Sequence, residues 1–319
     1  MRALVTGASG FVGQWLCEAL LERGVTVIGT AFEVDADGIP PVRDGLRRSM
    51  QWVRVDLRQR DEIASVTAAS RPDTVFHLAG VTFVPAATAD PGQAYDVNVV
   101  ASARLFAELG AQRSAGTLDP VVVVVGSGEQ YGRHDEEAPL SETAEQRPLS
   151  VYGATKAAQE IAALQTWRGT GLRVICTRSF NHTGPDQSPN LLVPALVRRA
   201  VGLRGVVGAR LPIGNTKPVR DFLHVADVVR AYIELAERGA PGEAYNVASG
   251  HGRSVGELAA LVLDRVGVKA DLEPVAEYIR PVDLPVLVGD STKLRAATGW
   301  RPRLGLELAI DQLIDAASR

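Results

Sequence analysis

Val5-Thr6-Gly7-Ala8-Ser9-Gly10-Phe11-Val12-Gly13 is the stretch from which the rest of the chain can be read. A short apolar run, 2–5, leads into it. Val12, Trp15, Leu16, Ala19 and Leu20 lead out at helical spacing. Gly-x-x-Gly-x-x-Gly at a strand-to-helix junction has a physical meaning. Gly7 permits a tight turn, Gly10 lets backbone approach a pyrophosphate, and Gly13 lets helix and strand pack closely. The helix N-terminus adds free N–H groups and a partial positive charge. A Gly-rich turn without a ligand is the plain alternative, and the junction weighs against it.

Working outward, residues 26–29, 52–55, 74–78, 121–126 and 173–177 read as further short strands, most of them continuously apolar. Such strands suit a parallel sheet covered on both faces. Helical patterns at 11–23, 60–70, 95–109 and 152–167 alternate with them, which predicts an α/β fold with a doubly wound parallel sheet of the Rossmann kind. After residue 179 the rhythm changes. A stretch rich in Asn, Pro and Gly precedes a helix at 193–201, and 205–219 reads as a hairpin turning at Gly214-Asn215. Helices follow at 225–237 and 255–266. The expected organisation is a dinucleotide-binding domain over 1–178, with 221–250 returning to it, and a smaller α/β substrate domain mainly over 179–319.

Net charge is -3 over 319 residues, which speaks against a nucleic-acid partner. Cys17 and Cys176 lie in apolar segments and read as small buried hydrophobes rather than a disulfide. No leader is visible and no apolar run reaches the ~20 residues of a membrane span, so a cytoplasmic protein without membrane contact is expected. His77, His182 and His224 are too scattered to suggest a metal; His77 reads as a core histidine and Glu136-Glu137 as a solvated loop pair.

A second constellation carries chemistry. Ser127 and Glu129 follow a very apolar strand, where ligands of open α/β sheets bind. Tyr152 and Lys156, four residues apart, share one face of the next long helix. A phenol's ordinary pKa near 10 is high for proton transfer at neutral pH. A neighbouring ammonium is expected to lower it. Lys156 would also hold a nicotinamide ribose, and Ser127 would orient a substrate oxygen against Tyr152. The dinucleotide is NAD or NADP. Ala31 stands where an acid would favour NAD and no arginine replaces it, Thr30 suits either form, and Asp56 is an adenine contact or a turn aspartate.

Together these residues resemble the extended short-chain dehydrogenase/reductases that act on nucleotide sugars, and the likeness covers nearly the whole chain. It rests on Thr6 to Gly13, His77-Leu78-Ala79-Gly80, Asp96-Val97-Asn98-Val99, Ser127-Gly128-Glu129-Gln130-Tyr131-Gly132, Tyr152-Gly153-Ala154-Thr155-Lys156, Phe180-Asn181-His182-Thr183-Gly184-Pro185 and Val219-Arg220-Asp221-Phe222. Gly214-Asn215, Arg280-Pro281-Val282-Asp283-Leu284-Pro285 and Thr298-Gly299-Trp300 make the chain look most like GDP-4-keto-6-deoxy-D-mannose reductases and GDP-mannose 4,6-dehydratases. The resemblance implies cofactor contacts from Gly7, Ser9, Gly10, Phe11, Val12, Gly13, Thr30, Asp56, Leu57, Leu78, Ala79, Gly80, Asn98, Tyr152 and Lys156. It implies substrate contacts from Thr82, Ser127, Asn181, Asn190, Arg220, Arg280 and Asp283, the two arginines holding a pyrophosphate, and a homodimer paired through helices 95–109 and 152–167. The sequence departs from the family at Phe83 and Ala87, where polar residues usually meet the hexose, and at Gly128. A 4-ketoreductase is the leading expectation. A 4,6-dehydratase using Glu129, a 4-epimerase and a non-catalytic dinucleotide sensor are the rivals.

Overall fold

Residues 1–134, 138–279 and 283–318 are described by the computed structural model. Arg280 and the Glu136-Glu137 pair therefore lie outside the described residues. β1 (Arg2–Thr6), β2 (Thr26–Ala31), β3 (Gln51–Arg54), β4 (Thr74–His77), β5 (Val121–Ser127) and β6 (Arg173–Ser179) all pair in parallel. A seventh strand, Ala244–Val247, joins the edge beside β6, giving the order Ala244–Val247, β6, β5, β4, β1, β2, β3. The central strands are largely apolar because helices cover both faces, whereas the edge strand β3, Gln51–Arg54, is only partly buried. Phe11–Glu22 and Val225–Arg238 pack on one side, and Arg60–Ser70, Ser102–Ser114 and Val151–Thr170 on the other.

The strand order reverses between β1 and β4, which opens a crevice at their carboxyl ends. The glycine loop lies there, and its spacing is enforced by contact. Gly7 has φ +69°, and a Cβ on Gly13 would stand 2.3 Å from the Gly7 carbonyl oxygen. The helix expected at 95–109 is a composite. It runs as Pro91–Tyr95, a π-helical stretch Asp96–Ala101, and Ser102–Ser114. The wider π turn carries Asn98 inward.

Beyond β6, helices Leu192–Gly202, Val255–Val266 and Leu306–Ala317 enclose a separate apolar cluster containing Leu196, Leu211, Leu258, Val262 and Ile310. The hairpin expected at 205–219 does not form. Strand Arg210–Ile213 pairs with Asp271–Pro274, whereas Val219–His224 pairs with Asn181–Thr183, Gly252–Ser254 and Val286–Leu287. The Gly214-Asn215 turn exists, with Asn215 Oδ1 accepting from the Lys217 N–H at 3.1 Å. Its strands nonetheless diverge, because Leu211 and Ile213 enter the helical cluster and the Tyr278 carbonyl crowds Gly214. Both cysteines are buried free thiols, as read from their surroundings.

The glycine contacts predict opposite outcomes for two substitutions. Gly13→Ala is expected to lower the unfolding free energy by roughly 1–3 kcal/mol through overpacking. Gly45→Ala, in a helix where a Cβ meets nothing within 4 Å, is expected to raise it by up to about 1 kcal/mol. Urea denaturation of both variants measures the contrast.

Candidate active site

β5 delivers Ser127 to the carboxyl edge of the sheet and ends in a three-residue 3-10 turn, Gly128–Gln130. Gln130 folds back so that its Oε1 accepts the Ser127 N–H at 2.8 Å. The Gln130 amide then donates to Glu160 Oε2 at 3.0 Å, and Glu160 is gripped by Arg178 through Nε at 3.0 Å and Nη2 at 2.7 Å. Gln146 donates to the other Glu160 oxygen at 2.8 Å. Both charged side chains are more than nine-tenths buried. Four donors meet one carboxylate, which is what a buried charge requires.

Ser150 caps the long helix Val151–Thr170, accepting the Gly153 N–H at 3.0 Å and donating to Glu129 Oε2 at 3.3 Å. A Cβ on Gly153 would stand 2.5 Å from the Glu129 carbonyl oxygen, so this glycine lets the helix abut the Ser127 turn. Tyr152 thereby comes beside the Ser127 hydroxyl. Burial pushes the phenol up to about 12, the Ser127 hydroxyl works the other way, and the Glu129 charge adds to the rise. This corrects the expectation of a phenol lowered by Lys156. The lysine Nζ instead donates to the Val125 carbonyl at 2.8 Å and to Gln159 Oε1 at 3.0 Å. Burial holds its ammonium down to about 8.

Asn98 ties the helix Val151–Thr170 to the segment that follows β4. Its amide spans Val81, accepting from N–H at 2.7 Å and donating to the carbonyl at 3.0 Å, and also donates to Thr155 Oγ1 at 2.9 Å. His77 is the core histidine expected, with Nδ1 2.7 Å from Thr6 Oγ1 and Nε2 2.7 Å from Ser102 Oγ. Burial presses its pKa down to about 3, so the ring is neutral.

Gly7, Ser9, Gly10, Phe11 and Val12 face Leu78, Ala79 and Gly80 across the crevice, all partly exposed. Gly10 caps helix Phe11–Glu22 without a side chain, leaving the first-turn N–H groups uncapped. That geometry fits a dinucleotide pyrophosphate. Three residues are less open than expected. Thr30 is buried within β2, Leu57 is buried, and the Asp56 carboxylate is gripped by Arg58.

Toward the second half of the chain, Asn181 is half-buried, while Thr82 and Asn190 are exposed. Arg220 and Asp283, expected to hold separate parts of a nucleotide, are paired with each other, and Arg220 also donates to the Leu284 carbonyl at 2.6 Å. Phe83 is exposed, but Ala87 is fully buried in helix Val84–Ala89 and does not line an open pocket. Gly128 is explained by the Phe180 ring, 3.2 Å from where a Cβ would stand. Among the described residues no His, Cys, Asp and Glu cluster suits a metal, and no helix is long and apolar enough to cross a membrane. Sequence reading missed Gln130, Gln159, Glu160 and Arg178. The signal for two of them was the continuation of the Tyr152/Lys156 helix face to positions 159 and 160.

The family model described as GDP-mannose 4,6 dehydratase matches residues 4–313. The chain belongs to this family. GDP-6-deoxy-D-mannose reductase of Pseudomonas aeruginosa is 31% identical over 315 residues, covering 98% of this chain and 96% of that protein. The solved structure of RMD from Pseudomonas aeruginosa with NADPH superposes with TM-score 0.82 at 29% identity, covering 99% of this chain and 98% of that one. UDP-glucose 4-epimerase of Thermus thermophilus with NAD gives TM-score 0.84 at 28% identity, covering 100% and 99%. The protein is thus an NAD(P)-dependent nucleotide-sugar enzyme of the short-chain dehydrogenase/reductase type.

The lysine makes a signed pH prediction. Its pKa of about 8 in the fold lies below the ordinary 10.5, so between these values the unfolded chain binds the extra proton and stability rises with pH. The burial penalty is fully present below pH 8. Measured against Lys156→Met by urea denaturation, the native protein is expected to gain roughly 2 kcal/mol from pH 8 to pH 10. A pH-independent difference between the two proteins would contradict the assignment.

Proposed function

We propose that the protein reduces the C4 ketone of a GDP-linked 4-keto-6-deoxyhexose, using NAD(P)H. The observation that carries this reading is the 31% identity with GDP-6-deoxy-D-mannose reductase of Pseudomonas aeruginosa, over 98% of this chain and 96% of that protein. Reduction begins with an enzyme that can give a proton. Tyr152, at the start of the helix beside Ser127, is placed to give that proton. The identity with GDP-6-deoxy-D-mannose reductase across nearly both whole chains supports the same direction and substrate class.

When bound, the reduced nicotinamide supplies the hydride. The uncapped helix N-terminus at Gly10 to Val12 holds the pyrophosphate, and Gly7 and Gly13 keep that loop close to the sheet. Ser127 donates a hydrogen bond to the substrate carbonyl, and Tyr152 transfers its proton to the oxygen as negative charge develops there. Lys156 holds the ribose, while Arg220 and Asp283 meet the nucleotide from the 179–319 half of the chain. Glu129 keeps dehydration as the second reading, because its carboxylate is fixed by Ser150 beside the serine.

Incubation with a GDP-4-keto-6-deoxyhexose is expected to oxidise NAD(P)H stoichiometrically, followed by absorbance. Tyr152→Phe is expected to reduce kcat by about 10²–10⁴-fold. Glu129→Gln is expected to leave it within about five-fold, since no C5 proton is removed. Turnover of GDP-mannose without net cofactor consumption would replace the reductase with the dehydratase.

We also propose a homodimer through helices Ser102–Ser114 and Val151–Thr170. Ile161, 66% exposed on the second of these, supports it. Sedimentation is expected to show a dimer, shifted toward monomer by Ile161→Lys; a monomeric native chain would contradict it.

A further inference from the structure

We infer that Gln159 is a positioning residue for Lys156, and that a one-way hydrogen-bond chain from His77 through Ser102 fixes which end of its amide meets the lysine. The inference rests on reading Lys156 as the group that meets the nicotinamide ribose.

Thr6, His77, Ser102, Gln159 and Lys156 are all buried. Water cannot settle their polarity, so each donor must find its acceptor among the others. Ser102 decides the direction. Its hydroxyl donates to the Asn98 carbonyl at 2.8 Å, which uses its only proton. The same oxygen lies 2.7 Å from His77 Nε2 and 2.8 Å from Gln159 Nε2, and can only accept from both. His77 is therefore the Nε2–H tautomer. Its bare Nδ1 accepts from Thr6 Oγ1 at 2.7 Å, and Thr6 accepts in turn from the Ala79 N–H at 3.3 Å.

With its amide nitrogen tied to Ser102, Gln159 turns Oε1 toward Lys156, whose Nζ donates to it at 3.0 Å. An ammonium only donates, so the lysine end of the chain agrees with the histidine end. The Val125 carbonyl of β5 accepts a second N–H at 2.8 Å. Two of the three N–H groups are thereby assigned, which fixes where the third points. The groups around the lysine are Tyr152 and Gln159 on its own helix, Val125 on β5 and, at longer range, His77 on β4. Burial keeps His77 neutral, and the lysine charge adds to that. An amide oxygen, rather than a carboxylate, therefore holds the ammonium. Buried polar side chains cost free energy when unmatched. Packing alone would favour apolar residues at 102 and 159, like Leu105, Phe106 and Ala163 on the same two helices.

Nuclear magnetic resonance of the ligand-free chain tests this without sugar or dinucleotide. The lysines are Lys156, Lys217, Lys269 and Lys293, so isotopic labelling of lysine side chains gives few signals, with Lys156 assigned by its loss in Lys156→Met. In the native protein Lys156 is expected to titrate at about 8. Gln159→Leu is expected to lower this by about one pH unit or more, because a hydrogen bond to the charged form is lost, and Gln159→Glu to raise it. Ser102→Ala leaves Gln159 in place but frees its amide, and is expected to lower the titration by a smaller step that Ser102→Thr restores. Histidine labelling reads the tautomer in the native chain. His77, assigned through its contact with the Phe106 ring, is expected to carry its proton on Nε2. A proton on Nδ1, or a Lys156 titration unmoved in folded Gln159→Leu and Ser102→Ala, would overturn the inference. Should Gln159→Leu not fold, Ser102→Ala and the tautomer decide alone. Failure of the proposed ketone reduction would leave these titrations as they are, and their failure would leave the reduction standing.

Discussion

A single buried carboxylate, Glu160, organises the reactive end of the molecule. Arg178 from β6 grips it with two nitrogens, and Gln130 and Gln146 satisfy what remains. Taking one partner from a buried pair of this sort commonly costs about 3–5 kcal/mol. The position of Gln130 is thereby held by a charge that has nowhere else to go. Gln130 in turn holds the Ser127 backbone. The helix that presents Tyr152 and Lys156 is the helix that carries Glu160, so serine, tyrosine and lysine share one rigid reference.

The same burial that makes this lattice necessary sets the proton chemistry. Tyr152 is partly buried beside Ser127, and that burial favours the neutral phenol. Lys156 lies still deeper, turned onto the Val125 carbonyl and Gln159. In the proposed reaction the tyrosine gives its proton to the substrate oxygen while the lysine stands behind it. That polarity fits a reaction in which negative charge appears on a substrate oxygen, and the proposed ketone reduction is such a reaction.

Most of the fold was legible because its signals are local. The apolar runs that became β1 to β6 needed both faces covered, and the glycine spacing after β1 allowed only a tight strand-to-helix turn. The false hairpin at 205–219 shows where locality ends, since its two strands were claimed by partners some 60 and 35 residues away, at Asp271–Pro274 and Gly252–Ser254. The site divides along the same line. Ser127, Tyr152 and Lys156 announce themselves by type and spacing. Arg178 does not, because its partner Glu160 comes from a helix that only the folded packing brings against β6. The expected lowering of Tyr152 failed for a similar reason. Spacing placed an ammonium on the tyrosine's helix face, but spacing carries no information about which carbonyl that ammonium would choose.

The central claim is that Tyr152 meets the substrate as a neutral phenol whose ionisation burial pushes upward. Ultraviolet difference titration of tyrosinate, comparing the protein with Tyr152→Phe, measures this directly. The account predicts that the Tyr152 component stays protonated well past the ordinary value of 10.0, rising only toward about 12. A Tyr152 component that ionises near neutral pH in the ligand-free protein would contradict it.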